Sequence, residues 1–167
     1  LVLHLIEGVV RILVFLGYVL LTAKIPEMKR VFAYHGAEHK TIRCYEAGLP
    51  LTVENVRQQT RLHPRCGTSF MFLMILIGIV AGICIRLAIP KVDTWLYTLI
   101  RLAILPILMG IGYEIIMLAG KHDNFLTRIL SAPGLLMQRI TTKEPEDDII
   151  EVGIAAIKAV IEPIEET

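Results

Sequence analysis

The sequence predicts an all-α polytopic membrane protein with about three transmembrane helices and a small cytoplasmic helical portion. Three observations carry this expectation. The mean hydropathy is +0.62, with 54% hydrophobic and only 20% charged residues, which is too apolar for an ordinary soluble domain of 167 residues. The stretch from Gly67 to Ile85, "GTSFMFLMILIGIVAGICI", runs 19 residues without a charge, close to the roughly 20 needed to cross a bilayer core as a helix. Finally, between Lys24 and Cys66 there are eight Lys and Arg against four Glu, whereas the connection from Arg86 to Asp93 has only Arg86 and Lys91 as basic residues.

Residues 1–23 form the first transmembrane or interfacial helix. The pattern is apolar from Leu3 to Ala23, but His4, Glu7 and Arg11 interrupt its first half. Gly8 to Ala23 therefore either crosses with a tilt or lies partly in the interface. The same charges, and the lack of a small-residue cleavage site, argue against a secretory signal. Residues 67–89 are the clearest span, with Gly78-x-x-x-Gly82 as a flat face for close helix contact. Residues 94–119 are another span, interrupted by Arg101 and Glu114. These two stand near opposite ends and are expected to snorkel to the interfaces. A transporter reading has only these two charges in its favour, and paired broken spans are absent from the pattern.

Lys and Arg accumulate in cytoplasmic loops, so residues 24–66 are placed inside the cell, and with them residues 120–167. The tail reads as amphipathic helices. One runs from Asn124 to about Ala132, breaks at Pro133-Gly134 and resumes from Leu135 to Ile140. After the polar connector "TTKEPEDD", Ile150, Ile154, Ile157 and Ile161 make a 3.6-period stripe over Ile149–Ile161. Asp147 and Asp148 precede it, at the positive end of the helix dipole. The stripe can pack on the cytoplasmic portion, the membrane surface or another subunit.

The net charge of +1 gives no global reason to expect nucleic acid as a partner. Three cysteines, Cys44, Cys66 and Cys84, are odd in number and unevenly spaced, which suits free thiols or metal ligands in a reducing compartment.

The chemistry gathers in "YHGAEHKTIRCYEAG", residues 34–48. His35, Glu38 and His39 spell H-x-x-E-H, and on a helix positions i and i+4 share a face, so two imidazoles can hold one ion with the carboxylate beside them. Two histidines so spaced also occur as plain hydrogen-bonding groups. The second pair, His63 and Cys66 in "LHPRCGTSF", favours the metal reading because it supplies another imidazole and a thiolate. Between the pairs, Gly48 and Pro50 signal turns and Thr52 to about Thr60 reads as a short helix, a return able to fold one pair back on the other. Four ligands would make a closed structural site; three would leave a position for water and make Glu38 a general base. Cys44 and Glu46 are further candidates, and Cys84 reads as inert packing within the span. A thiol nucleophile at Cys66, at a helix start with His63 or His35 as base, ranks lower because it leaves two histidines idle. Arg43, Arg61 and Arg65 could read an anionic substrate, but the inner leaflet accounts for them better.

The segments "YHGAEHKTI", "CYEAG", "LTVENV", "HPRCGTSF", "SAPGLLMQR" and "TTKEP" together resemble the YqhQ family of bacterial integral membrane proteins, over essentially the whole chain. That family is described as predicted metal-dependent enzymes of unknown function. The resemblance implies a bacterial cell membrane location and a metal site at His35, His39, His63 and Cys66, with Glu38 beside it. It also implies a glycine-rich N-terminal region that is missing from this sequence. The expected function is a zinc-dependent membrane hydrolase facing the cytoplasm, acting on a peptide or lipid-linked substrate, with Zn²⁺ or another divalent transition metal. The alternative is a non-enzymatic zinc-stapled scaffold or assembly factor. The expected partners are the lipid bilayer and a second copy or another membrane protein, with no nucleic acid.

Overall fold

A computed structural model of the protein describes residues 2–121 and 124–161. His122 lies outside them. All regular structure among the described residues is helical: α1 (Val2–Thr22), α2 (Pro26–Glu46), α3 (Val53–Arg57), α4 (Gly67–Ala88), α5 (Thr94–Lys121), α6 (Phe125–Thr141) and α7 (Asp147–Ile161). The protein is therefore all-α. α4 and α5 are each long and apolar enough to cross a membrane, and α1 adds a third span if it counts with α2 as one broken span. The chain divides into two units that are not consecutive segments. One comprises Leu1–Tyr18 with Pro64–Leu136, the other Val19–His63 with Met137–Thr167.

In the first unit α4 and α5 pack together, joined by a short link. Asp93 ends that link by capping α5: its Oδ1 accepts from the backbone N–H groups of Trp95 at 2.9 Å and Leu96 at 3.0 Å. The outer faces stay apolar, with Leu99, Leu102, Ile107 and Val80 all exposed. That suits hydrocarbon, where burial in protein is unnecessary. Glycines set the close approaches. A Cβ on Gly112 would lie 2.8 Å from Met74 Sδ, and one on Gly8 would lie 3.0 Å from the Ile79 side chain. Phe15 of α1 adds a ring contact with Phe72 of α4 at 6.4 Å.

α6 runs unbroken through Pro133, which corrects the expected break at Pro133-Gly134. A missing N–H and a clash normally end a helix at proline; here the bare backbone of Gly134 is pressed onto Ser69, where a Cβ would come within 2.5 Å of Ser69 Oγ. Tertiary contact overrides the local signal. Cys84 is exposed on α4 and not packed as expected.

The second unit is built on α2. Pro26 opens the helix at a position where its missing N–H costs nothing, and Gly48, with φ +67°, lets the chain turn after its end. Thr52 caps α3, accepting from Asn55 N–H at 3.4 Å, but α3 spans only Val53–Arg57, shorter than the periodic pattern to Thr60. α7 packs on both α2 and α3. Ile150 and Ile154 of its stripe join Cys44 and Val56 in one core cluster, and Ile149 joins Ala33 and Ala37 in another. The first half of the stripe therefore meets this unit's own core, while Ile157 is half-buried and Ile161 exposed.

Candidate metal centre

The H-x-x-E-H segment lies wholly within α2, so its histidines fall on one face by helix periodicity. The rings of His35 and His39 stand 4.3 Å apart, edge to face. His39 is 3% exposed. Its Nδ1 lies 2.6 Å from the Arg61 carbonyl, and Nδ1 of His35 lies 2.9 Å from the Thr141 carbonyl. A carbonyl can only accept, so both rings donate from Nδ1 and carry their lone pair on Nε2. Metal-ligating histidines show this arrangement, in which the outer hydrogen bond fixes tautomer and ring orientation. The donor chemistry of α2 fits a divalent transition metal.

His63, 24 positions further along the chain, returns to the same place: its ring centroid is 5.8 Å from that of His39. The return through Gly48 and α3 thus folds this histidine back toward the first pair. Nε2 of His63 donates to Glu46 Oε2 at 3.1 Å. Burial pushes the imidazole below its usual pKa, and the Glu46 carboxylate opposes that shift. Glu46, expected as a further ligand candidate, is the partner of His63.

Glu38 is exposed on α2, one position before the buried His39. Cys66 caps the start of α4 in the membrane-spanning unit, and its Sγ lies 3.2 Å from Thr68 Oγ1. Cys44 is fully buried in the apolar core beside Val56 and Ile150, where burial pushes its thiol up, so it is a packing residue and no ligand candidate. Arg43 and Arg61 are spent inside the unit: Arg43 Nε donates to the Leu62 carbonyl at 2.7 Å, and Arg61 Nη1 donates to the Thr142 carbonyl.

Three supporting residues escape sequence reasoning. Gln138 is fully buried and binds the His63 backbone on both sides. Thr141 and Arg61 supply the carbonyls that orient His35 and His39. Gln138 sits in "SAPGLLMQR", but no spacing rule links it to a histidine 75 positions away. Lys40, 3% exposed, joins the unit's ends: its Nζ donates to the Arg57 carbonyl at 2.8 Å and pairs with Glu144.

Fold and site together define a helical membrane protein with a histidine cluster whose donors could hold a metal ion. The chain belongs to the family described as "Protein of unknown function (DUF1385)", whose profile matches residues 1–163. It is 43% identical over 157 residues to the "Uncharacterized protein YqhQ" of Bacillus subtilis (strain 168), covering 93% of this chain and 48% of that protein. It thus spans about half the length of that relative. No solved structure matches it.

Proposed function

We propose that the chain is part of a metal-dependent hydrolase of a bacterial cell membrane, with its site facing the cytoplasm. The pair of Nδ1 hydrogen bonds on His35 and His39 carries this reading, because it fixes both rings in the tautomer that ligates through Nε2, on one helix face. Cys66 follows His63 by three residues, which limits its Cα to about 11 Å from that of His63 at full extension. On this spacing Cys66 is taken as the third ligand beside His35 and His39. His63, engaged with Glu46 through Nε2, is assigned to positioning and not to a fourth bond. Three protein ligands leave an open position, the mark of a catalytic site rather than a closed staple.

A bound zinc or similar ion supplies Lewis-acid polarisation of a carbonyl or phosphoryl group and acidifies water. Glu38, exposed one position before His39, would be the group that takes a proton from water and returns it to the leaving group. The substrate class that suits a site beside the bilayer is a peptide or a lipid-linked molecule. The scaffold alternative has less to dock with, because the first half of the α7 stripe, Ile150 and Ile154, is buried within its own unit, although Ile161 stays exposed. The cytoplasmic orientation is supported by the eight basic residues between Lys24 and Cys66.

The test is metal content with X-ray absorption on protein purified without chelator, comparing the parent with Glu38→Gln and Cys66→Ser. One ion per chain in a mixed nitrogen and sulfur shell with a light-atom ligand, retained in Glu38→Gln, is the expected result. A saturated shell of three nitrogens and one sulfur, lost together with folding in Cys66→Ser, would establish the staple instead. No stoichiometric metal in the parent would end both zinc readings.

A further inference from the structure

The middle of the membrane-spanning unit carries more positive charge than the unit itself neutralises. α4 has 22 residues, about 33 Å of helix, which matches a hydrocarbon core of about 30 Å. Gly78 stands near its middle, and Arg101 of α5 donates from Nη2 to the Gly78 carbonyl at 3.2 Å. The Arg101 guanidinium therefore lies at that depth and does not snorkel to an interface as the sequence suggested. α1 runs antiparallel to α4: Phe15 meets Phe72 at 6.4 Å between ring centroids, and a Cβ on Gly8 would lie 3.0 Å from the Ile79 side chain. That register brings Glu7 and Arg11 to the same level, and both line one cleft with Gly78, Tyr97 and Arg101.

The charges there do not cancel. Among the described residues the cleft is lined by two guanidinium groups and a single carboxylate, Glu7, which leaves one positive charge in excess. The Tyr97 ring, 5.7 Å from the Arg101 guanidinium, attracts that cation without neutralising it. Arg11 is exposed and makes no hydrogen bond or ion pair among the described residues. With Arg101 it faces an open groove of ≈ 410 Å³ walled by the apolar side chains of Met74, Ile75, Leu105 and Leu108. Charge at membrane depth is costly, and ionisable residues found there pair with an opposite charge or face water or the interior of a helix bundle.

We propose that this groove is the docking surface for a transmembrane helix of another protein, one that carries an Asp or Glu at mid-membrane. Its carboxylate pairs with Arg11 and brings the cluster to neutrality, while its apolar residues cover Met74, Ile75, Leu105 and Leu108. A guanidinium offers the planar paired donors that a carboxylate matches. Backbone at this depth must satisfy its own hydrogen bonds, which a helix does. Other occupants fit less well. A phospholipid keeps its phosphate at the surface, about 15 Å from the middle of the core. A second copy of this chain would add a further positive excess where a negative charge is needed. The surface does not depend on the metal reading.

The test is resonance energy transfer in phosphatidylcholine vesicles between the labelled full chain and a synthetic leucine-alanine transmembrane peptide with one central Glu. Peptides with Gln or Lys at that place serve as comparisons. The expected result is about tenfold tighter association of the Glu peptide than of the Gln peptide, a preference lost in Arg11→Gln. The melting temperature of Arg11→Gln in detergent should stay unchanged, because Arg11 makes no internal bond among the described residues. Arg11→Glu reverses the excess charge, and its preference should move to the Lys peptide. Equal association of the Glu and Gln peptides with the parent would overturn the proposal. So would an unchanged Glu preference in Arg11→Gln or Arg11→Glu. Self-association of the parent that excludes the peptide and disappears in Arg11→Gln would overturn it too, since the occupant would then be a second copy.

Discussion

Gln138 holds the backbone of His63 on both sides: its Oε1 accepts the His63 N–H at 2.7 Å, and its Nε2 donates to the His63 carbonyl at 2.6 Å. One buried amide thereby satisfies two backbone groups of a loop that has no ladder of its own, and fixes where the His63 ring enters the cluster around His39.

Replacing Gln138 with Leu keeps the volume and strips both bonds. Each buried group left unsatisfied costs about 1–3 kcal/mol. Thermal unfolding of the full chain in detergent should show a clear loss of stability, and NMR of histidine side chains should show a shifted His63 resonance. An unchanged melt would mean the His63 backbone finds water or another partner.

Gly36→Ala should destabilise the protein, although alanine is the better helix former by about 1 kcal/mol. The added methyl would collide with the Lys143 carbonyl, at the place where Lys143 N–H donates to the Phe32 carbonyl at 2.8 Å. Overpacking of this kind costs about 1–3 kcal/mol. Gly17→Ala, where nothing lies within 4 Å of the added methyl, is the control and should be neutral or stabilising.

Cys44 sets an alkaline limit. Its folded-state pKa is raised above the ordinary 9.0 by burial, so its contribution is fully present below 9.0 and is lost as pH rises through the folded value. Stability measured from pH 8 to 11 should fall less steeply in Cys44→Ala than in the parent, from a lower starting point. Maleimide labelling at pH 7.5 should modify exposed Cys84 with an apolar reagent and leave Cys44 untouched until the protein unfolds. Rapid labelling of Cys44 in the folded protein would contradict its place in the core.

Two of the ion pairs in the second unit, Lys40–Glu144 and Arg57–Asp147, should differ in weight. Lys40→Met leaves the Arg57 carbonyl without its donor, at a cost of about 1–3 kcal/mol, while exposed Glu144 simply rehydrates. Arg57 and Asp147 are both more than half exposed, and breaking such a pair with Asp147→Asn should change stability little. Melts of the two variants in 0.1 M and 0.5 M salt check this, since only the exposed pair should lose its effect at high salt.

Periodic and local features were legible from the residues themselves. His35 and His39 share a face because helix geometry alone puts i and i+4 together; Gly67 to Ile85 spans because 19 uncharged apolar residues have no other comfortable solvent; Thr52 caps because its hydroxyl reaches three residues ahead. These depend on neighbours within a few positions. What depended on distant partners was decided only by packing. α6 continues through Pro133 because Gly134 rests on Ser69, far away in the chain. Arg101 turns to the Gly78 carbonyl, and His63 to Glu46 and Gln138, because the helices that carry those groups come to lie alongside. A buried polar group must find a partner, but the need to be satisfied does not say which partner it will be. The residue types and their spacing therefore determined the helices and the candidate ligands, while the tertiary structure alone chose each ligand's hydrogen-bond partner and lone pair.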